Sequence, residues 1–131
     1  MAIDRVRNVN EQSSRTVSFT LKDNTGTVVP LTSIDTVTLT LYDMGTYAPG
    51  ASPAVGILNS RDSQNVKNTN QVTIHATSGL VTWAMVPDDN IIVTPRRQIE
   101  RHRAEFHFLT TTGVALDYEM EIEVKNLRKA A

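Results

Sequence analysis

The residues best able to do chemistry in this chain are its three histidines, His75, His102 and His107, since it has no cysteine. None stands in an H-x-x-x-H or H-E-x-x-H arrangement, the spacings that bring two imidazoles to one metal. His102 and His107 are five residues apart, and an odd spacing on a strand directs them to opposite faces. The chain also lacks a G-x-S-x-G motif and a glycine-rich phosphate loop. We predict no catalytic residue, no metal and no cofactor, and we expect that the protein is not an enzyme.

Two acidic stretches could offer oxygen ligands to calcium. They are Asp62, in a polar segment, and the run Asp88-Asp89-Asn90. Neither has the D-x-D-x-D-G spacing of a calcium-binding loop. Asp and Asn also favour turns, because their side chains bond to neighbouring backbone groups. The sequence therefore predicts turns, not calcium sites, at both places.

Arginine is concentrated in the segment 96–103, RRQIERHR, which carries four Arg and one Glu. Guanidinium groups bind phosphates and are frequent at the energetic centres of protein interfaces. No aromatic residues interleave to stack on bases, and the net charge of the chain is -1, so nucleic acid is a poor candidate. A protein contact and a solvated strand start paired with an acidic strand both remain open. We predict partner binding by Arg96, Arg97, Arg101 and Arg103.

Carboxylates alternate with apolar residues near the C-terminus. The acidic row is Asp117, Glu119, Glu121 and Glu123. A period of two places all four side chains on one face of a strand. We expect that face to be exposed, with the neighbouring arginines as its counter-charges.

Composition favours a small β domain. The chain has 131 residues, of which 17 are Thr and 14 are Val, and β-branched residues suit a pleated, half-buried surface. Apolar and polar residues alternate in several short segments separated by turn residues. The clearest segments are 16–21, 34–43, 72–74, 81–85, 104–108 and 116–125, and shorter candidates lie at 28–29, 57–58 and 91–93. The polar segment 59–70 lacks this period, and we expect a helical turn at Ser63–Val66 within it.

This pattern predicts an all-β antiparallel sandwich of immunoglobulin-like proportions with about seven or eight strands. A jelly roll or small barrel is the alternative. We divide the chain into an extended N-terminal arm at 1–14, a sandwich at 15–127 and a basic tail at 128–131. Ile3, Val6 and Val9 recur every three residues, and we predict that this row contacts a partner.

Three further segments carry a resemblance to a known class. They are VSFTLKDNTGTVVPL at 17–31, SGLVTWAMVPDDN at 78–90 and HRAEFHFLTTTG at 102–113. Together they resemble small immunoglobulin-like structural proteins of tailed bacteriophages and prophages. The resemblance covers about residues 14–127 and marks strands and turns, without an active site to transfer.

The resemblance implies a non-enzymatic virion protein assembled in the bacterial cytoplasm. We expect a decoration or cement protein that binds the major capsid protein, as a homo-oligomer or as many copies on a lattice. The alternatives are a neck or tail adaptor, a tail-completion or baseplate accessory protein, and a carbohydrate-binding module for host attachment. Neither nucleic acid nor membrane is an expected partner.

Overall fold

The computed structural model describes residues 4–48, 55–94 and 97–127. Most of the strands within these ranges follow segments of alternating apolar and polar residues. The strands are β1 Asp4–Asn10, β2 Arg15–Thr20, β3 Ile34–Asp43, β4 Gln64–Asn65, β5 Val72–Ile74, β6 Leu80–Met85, β7 Ile99–Thr110 and β8 Ala115–Lys125. Two short 3-10 turns, Leu31–Ser33 and Pro87–Asn90, are the only helical elements within these ranges. The prediction of an all-β domain with seven or eight strands is confirmed.

The strands form two open sheets that pack as a sandwich. The larger sheet has the order β1-β8-β7-β3-β4 and the smaller sheet has the order β2-β6-β5. All neighbours are antiparallel except β1, which runs parallel to β8. The smaller sheet matches strands B, E and D of an immunoglobulin domain, and β8, β7, β3 and β4 match G, F, C and C′. The immunoglobulin-like prediction therefore holds, and neither sheet closes into the alternative barrel.

The core lies between the sheets and is built on aromatic rings from both. Trp83 of β6 and Phe106 of β7 are fully buried, and their ring centroids lie 5.7 Å apart, edge to face. Phe19 of β2 lies 5.3 Å from Phe106, also edge to face. Such pairs add stability beyond the area that they bury. The inward residues of β3, Val37, Leu39 and Leu41, complete the opposite wall.

The predicted N-terminal arm is extended, but residues 4–10 lie on the domain itself as β1. Val6 is opposite Ile122 and Val9 is opposite Val124 in the pairing with β8. Val9 is 1% exposed, so its side chain packs into this chain's own core and does not project toward a partner. Val6 is partly buried against the same core, and Ile3 lies outside the described residues.

The polar segment 59–70 contains no helical turn. Gln64 and Asn65 form the short edge strand β4, which pairs with Leu39 and Thr38 of β3. The rest of the segment bends sharply, with positive φ angles at Asn59, Ser60, Ser63, Asn68 and Asn70. Asn tolerates the left-handed region better than other residues with a Cβ. The helical prediction was wrong because the positive φ angles interrupt any helical turn in this segment. The loop is held instead by a buried arginine, described below.

Candidate functional site

The arginine-rich segment lies at one end of the sandwich, where β7 begins. Strand alternation directs Ile99, Arg101 and Arg103 to the outer face of β7 and Glu100 and His102 to the inner face. Arg97 precedes the strand, and Arg96 lies outside the described residues. The structure thus brings Arg97 and Arg101, two of the predicted partner-binding residues, to one exposed surface. It places a third, Arg103, farther along β7.

Arg101 pairs with the acidic row, as the sequence predicts. Its Nε lies 3.3 Å from Glu121 and 3.9 Å from Glu123 on β8. The side chain of Arg101 is 62% exposed, so water and salt screen these pairs and their contribution to stability is small. Most of the Arg101 side chain stays accessible to solvent while it forms these pairs.

Arg103 occupies a more enclosed position than Arg101. It lies opposite Glu121 on one side and Tyr42 on the other, and its Nε is buried without a hydrogen-bond partner in the described part of the chain. The Tyr42 hydroxyl donates a hydrogen bond of 2.5 Å to Glu105. Burial raises the pKa of Tyr42, and the adjacent Glu105 carboxylate raises it further. On this part of the outer face Tyr42 and Glu105 are therefore bonded to each other.

An open pocket of about 310 Å³ lies beside the start of β7. Its lining combines two apolar side chains, Met44 and Ile99, with the guanidinium groups of Arg97 and Arg101. Met44 is 41% exposed and Ile99 is 48% exposed. We call Met44, Arg97, Ile99 and Arg101 the arginine patch.

Glycine at position 45 makes room for the arginine patch. A Cβ on Gly45 would lie 2.5 Å from Nη1 of Arg97 and 3.1 Å from its Cζ. These distances are shorter than a carbon atom's van der Waals contacts allow, so any other residue would displace the guanidinium. The Asp43-Met44-Gly45 corner therefore shapes the position of Arg97.

Beneath the patch lies a buried ionic cluster of Asp43, Glu100 and His102, which we call the end cluster. All three are fully buried. Nε2 of His102 lies 2.6 Å from Oε1 of Glu100, and Nη1 of Arg97 lies 3.6 Å from Oδ1 of Asp43. Arg97 is therefore a cation between the buried carboxylate and the surface.

Glu100 is held in its charged form by several donors. Its Oε1 accepts the N–H of Val93 at 2.7 Å and its Oε2 accepts the N–H of Thr94 at 2.9 Å. Burial alone raises the pKa of Glu100, but the hydrogen bonds from His102 and these two N–H groups, with the attraction to His102, outweigh it. The pKa of Glu100 lies below its ordinary value as a result.

The end cluster also has the donor types of a metal site. One ligand atom from each of Asp43, Glu100 and His102 lies within 4.8 Å of the others. Each of their four oxygens accepts at least one hydrogen bond, since Asp43 accepts the N–H of Gly45 and the hydroxyl of Thr46 while Glu100 accepts the bonds described above. Only Nδ1 of His102 lacks a partner among the described residues. Because the carboxylates already bond to donors of this chain and His102 pairs with Glu100, we interpret the end cluster as an internal ion network.

A second buried ionic cluster, centred on Arg61, lies on the polar loop. Arg61 is 1% exposed and forms a bidentate pair with Asp89 at 2.6 Å and 3.2 Å. Its remaining donors bond to Gln64, Gln71 and the carbonyl of Asn70. We call Arg61 with these partners the loop clamp.

The loop clamp also explains the sequence signals around it. Asp89 further accepts the side-chain amide of Asn59 and the N–H of Val86, so it is a structural ion-pair partner in a turn. Nε1 of Trp83 has no hydrogen-bond partner within the described ranges, and the Arg61 guanidinium lies 5.8 Å from the ring centroid. The buried role of Arg61 was missed because a lone Arg in a polar segment is typical of a solvated loop.

His102 and His107 lie on opposite faces of β7, as their spacing predicts. His102 is fully buried, whereas the side chain of His107 is 49% exposed. His107 lies 2.6 Å from Asp117 on the outer face. The sequence could not place Asp43 beside His102, because the two residues are brought together by the pairing of β3 with β7.

Comparison with models of known protein families and with curated proteins finds no match to this chain. Within the described ranges, no helix has the length and apolar character required to cross a membrane.

Proposed function

We propose that this protein is a non-enzymatic structural component of a bacteriophage virion, and that it is a decoration or cement protein of the head. In this proposal the sandwich is a rigid body and the arginine patch binds the major capsid protein. Many copies on a regular lattice let a modest contact per copy produce firm attachment of the whole layer.

The observation that carries the proposal is the composition of the arginine patch. Met44 and Ile99 are two large apolar side chains left 41% and 48% exposed beside two guanidinium groups. Met and Arg are enriched in protein interfaces, and Arg is common among the residues that dominate binding energy. The end cluster beneath the patch supports this role because it fixes Arg97 through Asp43.

The placement of the aromatic residues favours a protein contact over sugar binding. A carbohydrate module needs exposed rings, whereas Trp83 and the three phenylalanines are buried in the core. Tyr47 stacks on Tyr42 with ring centroids 4.0 Å apart, so the two tyrosines of that corner face each other. This arrangement supports the protein-binding proposal.

The test is the copy number of the chain in purified virions of the virus that encodes it, measured by stained gel against the major capsid protein. A decoration protein is present in a number comparable to that of the capsid subunits. A number that matches a single ring supports the alternative of a neck or tail component. Absence from purified virions contradicts both assignments.

A further inference from the structure

The edges of the two sheets differ in how well they are protected against an added strand. β4 and β5 are two and three residues long, and β1 has a register shift between Val6 and Val9 with a positive φ at Asn8. Short strands and bulges are devices that prevent edge pairing. β2 is six residues long and pairs with β6 without any shift. It is the one long, regular edge in the described part of the sandwich.

The free side of β2 can be identified from the hydrogen bonds around it. The N–H of Leu21 donates to Gly79 on the β6 side, and the N–H of His75 donates to Leu80, which lies opposite Thr20. Backbone groups alternate in direction along a strand, so those of Thr16, Ser18 and Thr20 point away from β6. Among the described residues these N–H groups have no hydrogen-bond partner.

A groove of about 310 Å³ runs along this side, between β1 and β2. Its apolar lining comes from Val6, Val17 and Met120. Its rim carries Arg5, Arg7 and Arg15, which are exposed and have no ion pair with a described carboxylate. The single acidic residue of the lining is Asp4, so the groove carries an excess of positive charge.

We propose that β2 accepts an extended segment of another protein as an added strand, and that this segment alternates acidic with apolar side chains. Its backbone pairs with Thr16, Ser18 and Thr20, its apolar side chains enter the groove, and its carboxylates meet the three arginines. A second copy of this chain fits poorly, because its own β2 edge brings the same positive groove. The site is separate from the arginine patch and is independent of the proposed virion role.

The probe is a fluorescently labelled octapeptide of alternating Val and Glu, with a Val and Lys octapeptide as its charge control. Binding to the full chain is followed by fluorescence anisotropy. We expect the acidic peptide to bind, and the basic peptide to bind at least about tenfold more weakly. Salt should weaken the binding of the acidic peptide. Amide exchange at Thr16, Ser18 and Thr20 should slow when the acidic peptide is bound.

Two variants locate the binding. Ser18→Pro removes an outward N–H that does not bond to β6, whereas Ser18→Ala keeps this N–H. Only the proline variant should therefore fail to bind the acidic peptide. The double variant Arg7→Glu/Arg15→Glu should also abolish binding, and the fold should tolerate it because both positions are exposed. Lys22→Glu is the matched control, a charge reversal outside the groove that should leave binding unchanged. The proposal is overturned if the acidic peptide does not bind, if both peptides bind equally, or if neither variant weakens binding. Self-association of the chain that Ser18→Pro abolishes also overturns it, in favour of a second copy.

Discussion

The loop clamp and the end cluster are both buried groups of charged side chains, but they differ in how completely their bonds are made. In the loop clamp, all five N–H groups of Arg61 have acceptors, and Asp89 accepts from both Asn59 and Val86 as well. In the end cluster, Nδ1 of His102 has no partner among the described residues. The cation of the loop clamp is buried, whereas the side chain of Arg97 is 38% exposed.

The difference indicates two separate tasks. The two charged groups of the loop clamp, Arg61 and Asp89, are both buried, and every N–H of Arg61 is bonded. We therefore expect a structural role, in which the clamp fastens a loop with five positive φ angles to the sandwich. The end cluster, by contrast, connects the core to the surface, because Asp43 lies 3.6 Å from the partly exposed Arg97 of the arginine patch. We therefore expect damage to the loop clamp to change stability most and damage around the end cluster to change binding as well.

The largest effect is expected from breaking the loop clamp. Asp89→Ala leaves the buried guanidinium of Arg61 without its counter-charge, which costs about 3–5 kcal/mol of unfolding free energy. The measurement is urea denaturation followed by tryptophan fluorescence, since Trp83 lies beneath Arg61. The matched control is Asp88→Ala at the adjacent exposed position, which should change stability by less than about 0.5 kcal/mol. Equal effects from the two variants would show that the pair is not a clamp.

A smaller effect is expected in the end cluster. Glu100→Gln replaces one accepting oxygen with a donor that faces an N–H group, and should cost about 1.5–3 kcal/mol, the range for a hydrogen bond to a charged group. The same urea titration measures it. A loss as large as that of Asp89→Ala would remove the distinction between the two clusters.

The pH dependence of stability provides an independent test of Glu100. Its pKa is lower in the folded protein than the ordinary value of 4.5, so its charged form contributes stability above that pH. This contribution is lost as the pH falls from 4.5 through the lowered pKa of the folded state. The free energy of unfolding should therefore fall more steeply with acid in the native protein than in Glu100→Gln. Parallel curves would mean that Glu100 gains nothing from its donors.

Metal addition distinguishes an ion network from a metal centre. Zinc or calcium at millimolar concentration should leave the melting temperature unchanged, because the three groups are fully buried and already paired with cationic or hydrogen-bonding groups of this chain. Differential scanning calorimetry with and without a chelator measures it. A rise in melting temperature that His102→Asn abolishes would identify the end cluster as a metal site.

The smallest effect is expected at the surface. Arg101→Ala removes pairs with Glu121 and Glu123 in which the arginine is 62% exposed, and should cost at most about 1 kcal/mol. This difference should shrink in high salt. Urea denaturation of the native chain and of Arg101→Ala at two ionic strengths measures this difference in unfolding free energy. A large loss that salt does not change would mean that Arg101 acts through packing.

Local patterns in the sequence were sufficient for most of the strands, but not for the edge strands β1 and β4 or for contacts between residues distant in the chain. Alternation located β3, β7 and β8, and it placed the arginines of 96–103 beside the acidic row. It could not show that Asp43 and Glu100 meet, because their contact depends on strand pairing between distant segments. The sequence pattern also placed the N-terminal residues in an arm, because β1 has no alternation. In the structure β1 is held by the burial of Val9 and by parallel pairing with β8.

The central functional claim is that the arginine patch binds a capsid partner, and binding to particles lacking the chain tests it most directly. Ile99→Asp places a charge in the patch at a side chain that is 48% exposed, and Val114→Asp makes the same change at a 45% exposed position at the opposite end of the sandwich. We predict that the native chain and Val114→Asp bind the particles in cosedimentation, whereas Ile99→Asp, with an unchanged fold by circular dichroism, does not. Equal binding by the two variants would contradict the claim.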